Sequence, residues 1–134
     1  MDVRFVAAKV DLKDAESVAS FLAQGFRVHE QEAFGALFFD LGSQLIAAEE
    51  LFRGAGSACS VDVRVLMRRA LLLSATSLIL WHSHPSGTTE PSLHDIELSK
   101  RVARAGEQLE VRLIDHLIVA PDGSFTSMRR KRCW

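Results

Sequence analysis

Cysteine is scarce in this chain. Cys59 and Cys133 are the only two among 134 residues, too few for a disulfide framework, and free thiols in a reducing cytoplasm are the simpler expectation. Charge of one sign is also missing: a formal net charge of −1 argues against a dedicated polyanion-binding protein. No apolar run reaches the ~20 residues that a membrane-spanning helix requires. Residues 1–20 lack the basic start and long apolar stretch of a secretory leader. There is neither an internal repeat nor a low-complexity linker. What is present is ordinary. A hydrophobic fraction of 48% supports one core, so a single cytoplasmic domain is expected over residues 1–134, with its core at about 14–128.

Periodicity predicts the elements. Val3 to Val10 reads as extended, though weakly patterned, and Asp14 can cap a short helix carrying Val18, Phe21 and Leu22 that ends near Gly25. Phe34–Phe39 and Gln44–Phe52 flank the turn Asp40-Leu41-Gly42-Ser43, predicting an antiparallel hairpin. Val61 to Leu73 has apolar residues at helical spacing, with Arg64, Arg68 and Arg69 off that face. Ser77–His82 is apolar on both faces and reads as a central strand. A helix from Ser92 to about Leu109 follows, then strands Val111–Ala120 and Ser124–Met128 around Pro121-Asp122-Gly123. The order predicts a mixed α/β sheet with helices packed on it.

Chemistry concentrates in Trp81-His82-Ser83-His84-Pro85-Ser86-Gly87 and Pro91-Ser92-Leu93-His94-Asp95. Alternate side chains of a strand share a face, so His82 and His84 can address one ion. Asp95 lies at a predicted helix start. Two imidazoles and a carboxylate are a common ligand set for catalytic zinc, leaving a fourth position to water. Pro85 and Gly87 stop the strand after His84 and open a loop for solvent and substrate. Simpler roles compete: histidines hydrogen-bonded at a strand end, and Ser92 with Asp95 as a capping box. The capping and chemical roles are compatible, since a helix start would fix Asp95 while the Ser92 hydroxyl faces developing charge on a substrate oxygen. His94 reads as an outer residue. A hydrolytic site also needs a base, and the pattern alone leaves Glu30, Glu32, Glu49 and Glu50 open.

HSHPSG followed by PSLHD resembles the motif of the JAMM (MPN+) metalloproteases, with its His-x-His, ten intervening residues and Asp, and a Ser three positions before that Asp. The RadC branch is closer still. Leu45-Ile46 to Glu50-Leu51-Phe52-Arg53-Gly54, the basic helix around Arg64 to Leu71, and Leu113-Ile114-Asp115-His116-Leu117-Ile118-Val119 are similar to it, over about Asp14 to Met128. The resemblance implies a single MPN (JAB/JAMM) domain with a mostly antiparallel mixed sheet flanked by helices. It implies His82, His84 and Asp95 as Zn2+ ligands, Ser92 as oxyanion stabiliser, and Glu32 as acid/base. Glu32-Ala33-Phe34-Gly35 fits the family's glutamate with a small residue three positions on; Glu49 and Glu50 do not. One departure is that RadC-type proteins usually carry a helix-hairpin-helix-like region ahead of this domain, for which the chain has no room.

A zinc-dependent peptidase or isopeptidase acting on a protein or peptide is therefore expected. The alternatives are an accessory protein or nuclease of DNA repair or a mobile element, and a non-catalytic MPN scaffold. Arg129-Arg130-Lys131-Arg132 is the main support for DNA, but reads as a solvated tail beyond the last strand, dispensable for folding. Nucleic-acid binding is accordingly expected to be weak, membrane binding absent, and homo-oligomerisation is left open. Asp115 and His116 interrupt an apolar strand. Either they find backbone partners, or one of them hydrogen-bonds the second ring nitrogen of a ligand histidine.

Overall fold

A computed structural model of the chain describes residues 2–3, 14–26, 31–54 and 61–134. Most of the extended segment expected before residue 11, together with Glu30 and Cys59, lies outside them. The strands are β1 (Asp2–Val3), β2 (Ala33–Phe39), β3 (Leu45–Arg53), β4 (Ser77–Ser83), β5 (Arg112–Val119) and β6 (Phe125–Ser127). The helices are α1 (Ala15–Gly25), α2 (Val63–Leu72) and α3 (Leu93–Leu109). Six strands form one sheet in the order β1-β3-β2-β4-β5-β6. Among the described residues the β4–β5 pair, joined by the α3 crossover, is parallel and the other pairs are antiparallel.

Alternation along the strands divides the core in two. Leu37, Phe39, Ile79, Trp81, Leu117 and Val119 pack under α1 through Val18, Ala19 and Leu22. On the opposite face Phe34, Phe38, Leu78 and Leu80 meet α2 through Leu66 and Ala70 and α3 through Leu98 and Val102. β4 is buried along its whole length, as its continuous apolar run predicts, because strands cover both edges and helices both faces. Its C-terminal end lies beside the N-terminus of α3, which places the predicted ligands close together. Among the described residues no helix is long and apolar enough to cross a membrane.

Gly35 makes the junction of β2 and β4 possible. A Cβ there would stand 2.0 Å from the Glu49 carbonyl oxygen and 2.4 Å from the Trp81 ring. Pairing moves from Phe34↔Phe52 to Gly35↔Glu50, leaving Leu51 as a bulge in β3. The small residue three positions after Glu32 therefore has a packing cause: the Trp81 indole lies across the β2 backbone. Gly35→Ala is expected to lower the urea midpoint by the equivalent of about 3 kcal/mol, the upper part of the range for overpacking. A midpoint within error of the parent would show that the strand yields freely there.

The C-terminal run is not a loose tail. Met128 N donates to the His116 carbonyl, Cys133 N to Met128 O, and Lys131 N to Ser127 O. Arg129 N donates to Asp115 Oδ1, Arg130 holds both Glu16 oxygens at 2.9 Å, and Trp134 packs on the α2/α3 core. Tertiary partners, invisible to local pattern, fold these residues back. Deleting residues 129–134 should thus cost on the order of 2 kcal/mol, since it removes a donor to a buried carboxylate as well as apolar packing. A denaturation midpoint unchanged by the deletion would restore the dispensable tail.

Candidate metal centre

β4 delivers His82 into the interior, 3% exposed, and ends one residue before His84. His84 N still donates to the Val119 carbonyl at 2.9 Å, so the second imidazole is held at the mouth of the sheet. The two rings are 4.5 Å apart, nearly perpendicular. The i, i+2 spacing thus puts them together as strand geometry predicts.

α3 begins with the expected capping box: Ser92 Oγ accepts from Asp95 N at 3.1 Å, and Asp95 Oδ2 accepts from Ser92 N at 2.9 Å. Asp95 is fully buried. Burial favours its neutral form, but hydrogen bonds from His82 and the Ser92 backbone outweigh this and hold the carboxyl well below its usual range. Asp95 Oδ1 lies 3.1 Å from His82 Nδ1.

Hydrogen bonds assign both histidine tautomers. Asp95 can only accept, so His82 Nδ1 carries the hydrogen and Nε2 the lone pair. Among the described residues that Nε2 is buried with no hydrogen-bond partner. His84 Nδ1 faces the Thr88 carbonyl at 2.9 Å, which leaves its Nε2 as a lone pair too. Glu32, just ahead of β2, puts Oε1 4.0 Å from His84 Nε2, with its side chain 31% exposed. Imidazoles oriented through Nδ1, beside carboxylates, offer Nε2 as the donor that zinc takes.

Among the described residues two overlapping donor groups result, each with its atoms within 4.8 Å of one another: Glu32, His82 and His84, of which His82 is buried and the others half-buried, and the buried His82, Asp95 and His116. His82 belongs to both. His84 and Asp95 do not share such a group among the described residues, so ligation by all three predicted residues requires the donors to close up. His94 is exposed and joins neither group.

Competing bases are engaged elsewhere. Both Glu49 oxygens bind Arg69, at 2.6 and 2.5 Å, and Glu50 pairs with Arg53. Asp115 and His116 do not make the contact expected of them, since Asp95 and Thr88 take the far nitrogens of both histidines. The Asp115 carboxylate accepts from His116 N, Ser127 Oγ and Arg129 N, and burial raises its pKa above the usual value. His116 is fully buried, its Nδ1 2.7 Å from Ser99 Oγ. Burial pushes its pKa down to about 3, so it is neutral at physiological pH. Ser99 drew no attention in the sequence because a serine inside an amphipathic helix carries no signal of its own.

A family model described as RadC-like JAB domain matches residues 12–133. A UPF0758 protein of Cupriavidus taiwanensis is 44% identical over 105 residues, 78% of this chain and 46% of that protein. One from Halorhodospira halophila is 42% identical over 120 residues, 90% of this chain and 53% of its own. Another, from Haemophilus influenzae, is 39% identical over 115 residues, 86% and 52% respectively. The chain spans about half the length of the curated relatives it matches. It belongs to the RadC-like JAB family.

Proposed function

We propose that this RadC-like JAB domain is a zinc-dependent hydrolase that cleaves a peptide or isopeptide bond. One observation carries the proposal: two imidazoles hydrogen-bonded through Nδ1 hold ring nitrogens within 4.8 Å of each other and of an accessible carboxylate. An orphaned Nε2 in the interior is costly, and a bound cation would satisfy it. His82, His84 and Asp95 would hold the ion, as buried or half-buried donors. When bound, zinc would polarise a carbonyl and lower the pKa of its water to about 7.

Glu32 would take a proton from the attacking water and pass it to the leaving amine, which its position on the solvent side suits. Its Oε1 lies 4.0 Å from His84 Nε2 with the side chain 31% exposed, a position from which it would reach a water beside the histidines. Ser92 would donate to the oxyanion. Its hydroxyl now donates to Asp95 Oδ2 at 3.0 Å, so that role requires giving up this bond.

Nucleic-acid binding would be weak. Arg130 is paired with Glu16, Arg64 with Asp62 and Arg69 with Glu49, which sets part of the predicted basic surface against carboxylates. The deciding assay offers zinc-loaded and chelator-treated protein peptide, isopeptide-linked and DNA substrates. Metal-dependent cleavage of an amide bond is expected. Metal-dependent DNA cleavage with amides untouched would replace the peptidase by a nuclease.

A further inference from the structure

We propose that His116 is a positioning residue for the metal centre, acting through Ser99 on the first turn of α3. The proposal rests on the metal reading above and adds a residue pair to it. Ser99 lies one turn below Asp95 and its single hydroxyl hydrogen goes to the Asp95 carbonyl at 3.0 Å, a group that can only accept. With that hydrogen on the Asp95 carbonyl, the 2.7 Å contact between Ser99 Oγ and His116 Nδ1 is donated by the imidazole. A continuous chain results: β5 holds His116, His116 holds Ser99, and Ser99 holds the backbone of Asp95.

This chain sits where the fold needs it. α3 crosses between two parallel strands, and its first turn carries both Ser92 and Asp95. Apolar contacts of Leu98 and Val102 press the helix onto the sheet without fixing its sliding or rotation, because they have no direction. A buried hydrogen bond has one. Met128 N on the His116 carbonyl and the Phe34 ring edge-on to the imidazole at 5.4 Å keep His116 in place.

The arrangement costs stability. Among the described residues His116 Nε2 is buried with no hydrogen-bond partner, and a ring nitrogen of His116 lies within 4.8 Å of donor atoms of His82 and Asp95. An apolar ring would avoid that penalty. A merely structural role predicts that phenylalanine harms the fold. A positioning role predicts that it spares or raises metal-free stability while weakening metal binding.

The test compares the parent with His116→Phe, Ser99→Ala, His116→Asn and His116→Gln. Zinc affinity is measured by competition with a chromophoric chelator, and the metal-free proteins are followed by thermal unfolding and by amide exchange at Asp95 and Ile96. The first two variants should bind zinc about 10- to 100-fold more weakly, the range for losing a group behind a ligand. Their Asp95 and Ile96 amides should exchange faster than in the parent, as local opening of the first turn of α3 predicts. Asparagine, whose amide can replace Nδ1–H, should recover most of the affinity, and glutamine should not.

Zinc affinity within twofold of the parent for His116→Phe, or a fall in melting temperature as its sole effect, overturns the proposal. Rescue by glutamine and not asparagine would also overturn it, placing the action at Nε2 and not through Ser99. A parent that binds no zinc sinks the hydrolase reading instead, and the amide exchange of the metal-free proteins then still decides the relay.

Discussion

His82→Ala should leave a folded protein that has lost its zinc and, with it, all metal-dependent hydrolysis. The expected effect is large because His82 is common to both donor groups found among the described residues, so its loss leaves each of them with two donors. Elemental analysis should fall from about one zinc per chain to near zero, as expected when one of three protein ligands is removed. The fold should persist, since the β4 backbone keeps its partners β2 and β5. Asp95→Ala should also lose metal but additionally lowers stability by about 1 kcal/mol, because it breaks the capping box of α3. Full zinc occupancy in His82→Ala would move the metal away from β4 altogether.

Glu32→Gln is expected to separate binding from chemistry. The amide keeps size and hydrogen bonding but cannot take a proton, so zinc should stay bound while turnover falls by about 10²- to 10⁴-fold, the contribution of a general base. Parallel zinc analysis and steady-state cleavage of an amide substrate would read both. The group of Glu32, His82 and His84 gives this variant a second use: if zinc is lost, Glu32 is itself a ligand and Asp95 serves to orient His82 through Nδ1. Unchanged turnover would remove the base role from Glu32. It would not then pass readily to Glu49 or Glu50, whose carboxylates are tied to Arg69 and Arg53.

Local pattern made much of the fold legible. The Asp14 cap, the hairpin around Asp40, the buried β4 and the Ser92–Asp95 capping box were readable from short stretches, with boundaries shifted by one or two residues. His82 and His84 were legible together because a two-residue step on a strand is itself a local rule. Asp115 and His116 were visible as polar interruptions of an apolar strand, but not their separate fates: one ties down the C-terminal turn and the other approaches α3. That division depends on which neighbour covers each face of β5, and no pattern within β5 reports it.

The sequence by itself determined the element types, the central place of β4, and a histidine pair and an acid carried to the ends of adjacent elements. These follow from steric preferences, side-chain periodicity and capping, all of which act within a few residues. Only the tertiary structure decided how near Glu32 stands to His84, that Gly35 must lack a side chain, that Ser99 bridges His116 to Asp95, and that residues 129–134 pack back on the domain. Each of these joins groups distant in the chain through strand register and helix docking. Those are set by the burial of the whole sheet, a condition that no single segment contains.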